Sequence, residues 1–201
     1  MNIETGNAVR TAVLTRLVEH APKPPGRTVL MKWAYLLQVL RGVPLGYRFS
    51  LYNYGPYDAS VLNDLSSAVA EGKIREDTVR YASGSGYQYR SVSDETAQIF
   101  ANTDRGTVPH DDDVEWVLAE FGNCSASELE LVSTIVFANR EMTRKGQAYS
   151  RESLSRRVRA IKPQFDEDYI LGQIDRLVTS DVLSIGDASG AVVEGGNGCC
   201  N

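Results

Sequence analysis

Few side chains in this sequence could carry out a reaction. The chain has two histidines, His20 and His110, and three cysteines, Cys124, Cys199 and Cys200. Neither histidine has a Ser or Cys nucleophile and a carboxylate at a recognisable motif spacing, so no acyl-transfer triad is legible. The cysteines form no Cys-x-x-Cys pair with a histidine, as zinc would require, and no even framework for disulfides. Residues 110–113 read His-Asp-Asp-Asp, all metal-ligand types. Consecutive residues, however, point around a helix rather than toward one ion. Acids here suit a first helical turn, where they meet the positive end of the dipole. Ser83-Gly84-Ser85-Gly86 lacks the flanking pattern of a phosphate or dinucleotide loop. The residues predict no catalytic site, no metal and no cofactor.

Two other groupings remain. Residues 47–57 read YRFSLYNYGPY, which places five of the chain's seventeen aromatics in eleven positions. Tyrosine suits protein interfaces because it offers a large rigid area and one hydroxyl. Strand alternation sends Tyr52 and Tyr54 to one face and Phe49 and Leu51 to the other, with Tyr47 and Phe49 expected in the core. Tyr52, Tyr54 and Tyr57 are therefore candidate partner-binding residues, together with the Gly55-Pro56 turn expected to hold them. Pro56 fixes its own φ and is expected to bias Gly55 toward extended backbone.

The second grouping is basic. Residues 140–162 hold Arg140, Arg144, Lys145, Arg151, Arg156, Arg157, Arg159 and Lys162 against Glu141 and Glu152. Arg144, Lys145, Arg156, Arg157 and Arg159 form an alternative, nucleic-acid-binding set. The competing explanation is intramolecular balance, because residues 111–130 hold seven acids and no base.

These groups must be positioned by elements that the apolar spacing outlines. Val9, Val13 and Leu17 form one stripe of a helix over 5–20, which the three prolines of 21–26 must end. A second helix is expected from a Thr28 N-cap to Gly42, with Leu30, Trp33, Leu37 and Leu40 on its core face. Tyr47, Phe49 and Leu51 alternate as a short strand, and the Tyr-Gly-Pro-Tyr-Asp segment turns the chain. Asp58 caps a helix to Glu71, closed by Gly72. Two β-prone runs then flank a Ser-Gly-Ser-Gly tip at 83–86, a hairpin that follows a helix as in a winged-helix unit. A short helix is expected over 93–101, another from His110 to Gly122, and a third from a Ser125–Glu128 capping box through Met142. Helices at 150–161 and from Asp166, then a hairpin over 182–193, repeat the helix-plus-wing pattern.

Bulk composition narrows the function further. At 201 residues, 42% hydrophobic and 23% charged, the chain is an ordinary globular protein. Its first ten residues carry no secretory pattern, and its longest apolar run contains Lys32 and is too short to span a bilayer. A cytoplasmic location is expected. The net charge of −5 disfavours general affinity for nucleic acid or anionic lipid. The helices that would read DNA, 58–71 and 166–180, each sum to about −3, the wrong sign for a polyanion.

Residues 30–74, from Leu30 to Ile74, resemble the Panacea (SocA-like) antitoxin domain and the related YwgA-like bacterial proteins. The resemblance rests on Leu30, Lys32, Tyr35 and Leu36 in one helix, the aromatic strand, Tyr54-Gly55-Pro56, and a helix closing in Glu-Gly-Lys-Ile. The stretches from Glu128 and from Ser153 look like the C-terminal half of the YwgA-like proteins, so the likeness covers roughly 28–183. It implies a largely helical, cytoplasmic protein without catalysis that neutralises a toxin, or serves a defence operon, by direct contact with a protein from a neighbouring gene.

The combined expectation is a mainly α, α+β fold. Residues 1–108 would form a helical domain with a hairpin, 109–194 a second helical half with another winged-helix-like unit, and 195–201 a flexible tail. The expected function is protein binding, and the alternative is a winged-helix DNA-binding regulator using 144–162.

Overall fold

A computed structural model describes residues 3–81, 84–92, 110–146 and 148–185. Within these lie seven helices and four strands, a mainly helical α+β fold. The expected helix over 93–101, the tail 195–201 and most of the second hairpin (182–193) fall outside the described residues. The described part of that hairpin, 182–185, belongs to no strand.

Helix α1 (Ile3–His20) runs into the proline segment, and α2 (Arg27–Leu40) starts directly after it. Leu30, Trp33, Leu36 and Leu37 of α2 are buried at the centre of the core. Thr28 does not cap this helix. The N-cap is Gly26, which makes no side-chain cap bond. The cause lies in the segment before it. Tyr89 donates its backbone N–H to the Pro25 carbonyl at 2.9 Å, and Gly26 forms an antiparallel bridge with Gln88. A Cβ at Gly26 would stand 3.2 Å from the Tyr87 carbonyl oxygen, so a larger residue would have to push this contact apart by a few tenths of an ångström.

Helix α3 (Ala59–Ala70) begins as expected, with the Asp58 side chain accepting the Ser60 N–H. It ends ahead of Gly72, whose φ of 70° is the left-handed geometry of a helix stop. Strands β3 (Ile74–Tyr81) and β4 (Gly84–Ser91) then pair antiparallel, Ile74 with Ser91 and Tyr81 with Gly84. The hairpin tip is shorter than the 83–86 segment foresaw. Gly84 and Gly86 lie inside β4, opposite Tyr81 and Val79, and Gly84 takes a positive φ of 134° where β4 begins.

Pro25–Gly26 therefore acts as a third, minimal strand on β4. The chain order becomes helix, strand, helix, helix, strand, strand, the order of a winged helix. One piece is inserted between its second and third helices: the aromatic hairpin, β1 (Ser50–Tyr52) paired with β2 (Gly55–Tyr57).

Helix α4 (Asp111–Phe121) packs against α1 and α2 and buries Val114, Val117 and Phe121. Two of its three first-turn acids are taken up by arginines. Arg16 pairs with Asp111 at 2.9 Å and Arg41 with Asp113 at 2.8 Å. Helix α5 (Ala126–Arg144) opens on the expected capping box: Ser125 N–H donates to Glu128, and Glu128 N–H to the Ser125 hydroxyl. Leu129, Val132 and Val136 form its buried face.

The chain divides into two compact units, and the division falls after Ser133, inside α5. It differs from a boundary at 108 because α4 is packed on the first two helices. In the second unit, α6 (Arg151–Ile161) packs on α7 (Glu167–Thr179), with Leu154, Val158, Ile170, Ile174 and Leu177 buried. Ser150 and Ser153 form a capping box for α6. Among the described residues, no helix is long and apolar enough to cross a membrane.

Candidate functional site

The aromatic segment starts as extended chain rather than strand. Val43, Leu45 and Tyr47 are buried while Pro44, Gly46 and Arg48 are exposed, so the alternation is real. Its backbone is held by a side chain of α2 instead of a neighbouring strand. Gln38 donates to the Tyr47 carbonyl and accepts the Tyr47 N–H, both at 2.9 Å. Regular pairing begins only at Ser50, three residues later than the alternation predicts.

Tyr47 and Phe49 anchor the segment. The Tyr47 hydroxyl donates to Asp64 at 2.8 Å, and Arg10 reaches the same carboxylate oxygen at 2.7 Å. Burial, followed by the Asp64 charge and its hydrogen bond, pushes the Tyr47 phenol far above its ordinary pKa. Phe49 is half-buried and meets Tyr35 and Tyr47 edge-on, at centroid distances of 5.1 and 5.6 Å.

The turn is Asn53–Tyr54, and Gly55–Pro56 forms the start of the return strand. Neither Asn53 nor Tyr54 has a positive φ, whereas Gly55 sits at +86°. The pattern is that of a turn followed by a left-handed glycine, which restores the strand twist. Gly55 is therefore not in the extended geometry expected before a proline. Only glycine adopts this angle cheaply, and the turn's demand outweighs the proline's preference. Gly55 and Pro56 are both buried.

Beneath them lies Lys32, 2% exposed, whose ammonium donates to the Pro56 carbonyl at 2.7 Å. In sequence Lys32 is visible as the charge interrupting an apolar run and as part of the family resemblance, neither of which shows what it holds, and Gln38 carries no signal at all. These two α2 side chains fix the hairpin from within. Asp58 fixes its exit by accepting N–H bonds from both Arg48 and Ser60.

The three remaining tyrosines face outward. Tyr52 is 64% exposed, Tyr54 66% and Tyr57 36%. Tyr52 and Tyr57 lean together across the hairpin at 5.9 Å. The structure brings the five expected positions, 52, 54, 55, 56 and 57, into one turn, with the glycine and proline buried and the rings outward. Such a surface offers contact area and hydroxyls.

The alternative set lies in the second unit, and several of its side chains are engaged locally. Arg144 pairs with Glu141 at 2.7 Å, and Lys145 follows it at the end of α5. Arg156 donates to its own helix at Glu152, while Arg159 turns inward to the Pro163 and Phe165 carbonyls. Arg157 is exposed.

The charge expected on α3 also requires correction. Asp58 is occupied as a cap, Asp64 is buried against Arg10, and Glu71 pairs with Lys73 at 2.6 Å. The exposed residues of α3 (Ala59, Asn63, Ser66, Ser67 and Ala70) are small and uncharged. The three formal charges do not face outward together, because a cap, a core ion pair and a local pair absorb them.

Among the described residues, no group of His, Cys, Asp or Glu is arranged to hold a metal ion. The chain matches no family model and no curated protein.

Proposed function

We propose that the chain is a protein-binding module without catalysis. In its most specific form it is an antitoxin-like or defence-accessory protein, acting in the cytoplasm on a partner encoded by a neighbouring gene. The observation that carries this reading is the rigidly mounted tyrosine turn. Tyr52 and Tyr54 are about two-thirds exposed on a loop whose backbone is locked from below by Lys32, Gln38 and Asp58. Large rings that need no ordering on binding are the usual source of interface hot spots. The resemblance to Panacea and YwgA-like proteins supports the antitoxin form through the same Tyr-Gly-Pro block.

The test is co-expression with the product of the adjacent gene, read by co-purification and, where that product is toxic, by rescue of growth. Tyr52→Ala and Tyr54→Ala should each weaken the complex by at least about 2 kcal/mol. Being exposed, they should change stability by less than about 0.5 kcal/mol. Variants that bind normally but melt early would place the rings in the core and end this reading.

DNA binding is a second reading, favoured by the winged-helix chain order that Pro25–Gly26 completes and by the neutral face of α3. It requires an affinity for duplex that falls steeply with salt. It also requires that reversing Arg156, Arg157 and Arg159 flatten that slope. With α3 offering no cation, duplex binding near physiological salt should be weak or absent.

A further inference from the structure

On another face of the first unit, a cavity of about 510 Å³ opens between the proline segment, the first turn of α2, and β4. This volume falls within the roughly 300–1,000 Å³ of small-molecule sites. Its wall is largely apolar, with Trp33, Tyr87, Pro24 and Pro25 among the lining residues. Among the described residues, its charged lining is Lys23 and Arg27, with no acid.

The two cations differ. Arg27 is already engaged: it donates to Glu76 at 2.9 Å and to the Tyr89 hydroxyl at 3.2 Å, with its guanidinium 3.5 Å over the Tyr87 ring. It is therefore a fixed part of the wall. Lys23 is exposed at the mouth and forms no ion pair with any described residue. The first turn of α2 borders the same space, and its N-cap, Gly26, has no side chain to occupy the positive end of that helix. An apolar cavity with one uncompensated cation at its mouth and a second held in its wall complements an amphiphilic anion.

We propose that this cavity binds a small organic anion. The acid group, carboxylate or phosphate monoester, sits at Lys23 and the start of α2. An apolar or aromatic body lies against Tyr87, Trp33 and the prolines. The site is separate from the tyrosine turn and does not depend on that surface binding a protein.

Trp33 and Trp116 are the chain's two tryptophans, so a full-length Trp116→Phe protein makes Trp33 a built-in reporter. Its emission is titrated with benzoate, phenyl phosphate, inorganic phosphate and benzyl alcohol. Calorimetry on the unaltered chain provides a readout independent of that substitution. Saturable binding of benzoate or phenyl phosphate is expected, at least tenfold tighter than of benzyl alcohol or inorganic phosphate. The ratio of the first two distinguishes carboxylate from phosphate ligands. Lys23→Glu should weaken the anions at least tenfold without lowering the thermal midpoint, since Lys23 is exposed and forms no ion pair with any described residue.

Three results would overturn the proposal: no saturable binding by either method, benzyl alcohol binding as tightly as benzoate, or unchanged anion affinity in Lys23→Glu.

Discussion

Asp58 and Glu76 show how single side chains hold the first unit together, and both carboxyls lie below their ordinary pKa. Burial works against each charge, but at Asp58 the N–H groups of Ser60 and Arg48 outweigh it. At Glu76 the Tyr89 hydroxyl and Arg27 do the same. As pH falls, the unfolded chain therefore takes up these protons first. The stabilisation from this pair is complete at neutral pH and drains away as pH drops from about 4 through the folded values. An Asp58→Asn, Glu76→Gln double variant should be less stable than the parent at pH 7 yet lose less between pH 7 and pH 3, as read by urea midpoints. Equal losses would show that other carboxylates govern the acid limb. Phe49 supplies a second prediction at this scale. A fully buried phenylalanine costs about 3–5 kcal/mol on truncation to alanine, but Phe49 is only half-buried, so about 2 kcal/mol is expected by chemical denaturation.

For the aromatic hairpin, the sequence reveals part of the arrangement and hides the rest. The inward Tyr47 and the outward Tyr52 follow from alternation, a local property that any extended chain shares, whereas Tyr54 faces outward because it sits in the turn. The supports do not follow. Lys32 and Gln38 are distant in sequence from the backbone they hold, and neither type announces a buried role. The β3–β4 hairpin is similar: glycine suits bends and strand positions alike, and only the register shows that Gly84 and Gly86 lie within β4. The α3 charge was misread because formal charge ignores which acids turn inward. The supports can be tested directly. Lys32→Met removes the donor to the buried Pro56 carbonyl and should cost about 1–3 kcal/mol. It should also speed amide exchange in residues 50–57 more than in α3. Gly55→Ala forces a side chain into φ of +86° and should cost about 1–2 kcal/mol.

Across the whole chain, the unit boundary lies inside a helix, which no composition shift could reveal. The Ser125–Glu128 box and the apolar stripe made α5 easy to read as an element, yet neither says that its two ends belong to different units. Because α4 covers α1 and α2, a fragment ending at 108 would expose the surface that Val114, Val117 and Phe121 now bury. Residues 1–108 should therefore melt without a cooperative transition, while residues 1–145, which keep α4 and an uncut α5, should show one by circular dichroism. A sharp transition in the shorter fragment would show that α4 is dispensable.

The left-handed glycine and its buried proline separate two duties that usually interfere. The glycine, the proline and the Lys32 contact face inward, whereas Tyr52, Tyr54 and Tyr57 present their rings outward. Residues 52, 54 and 57 can thus be exchanged for other side chains while the loop keeps its path. The scaffold works as a socket, and its specificity can be rewritten at three positions without refolding the protein around them.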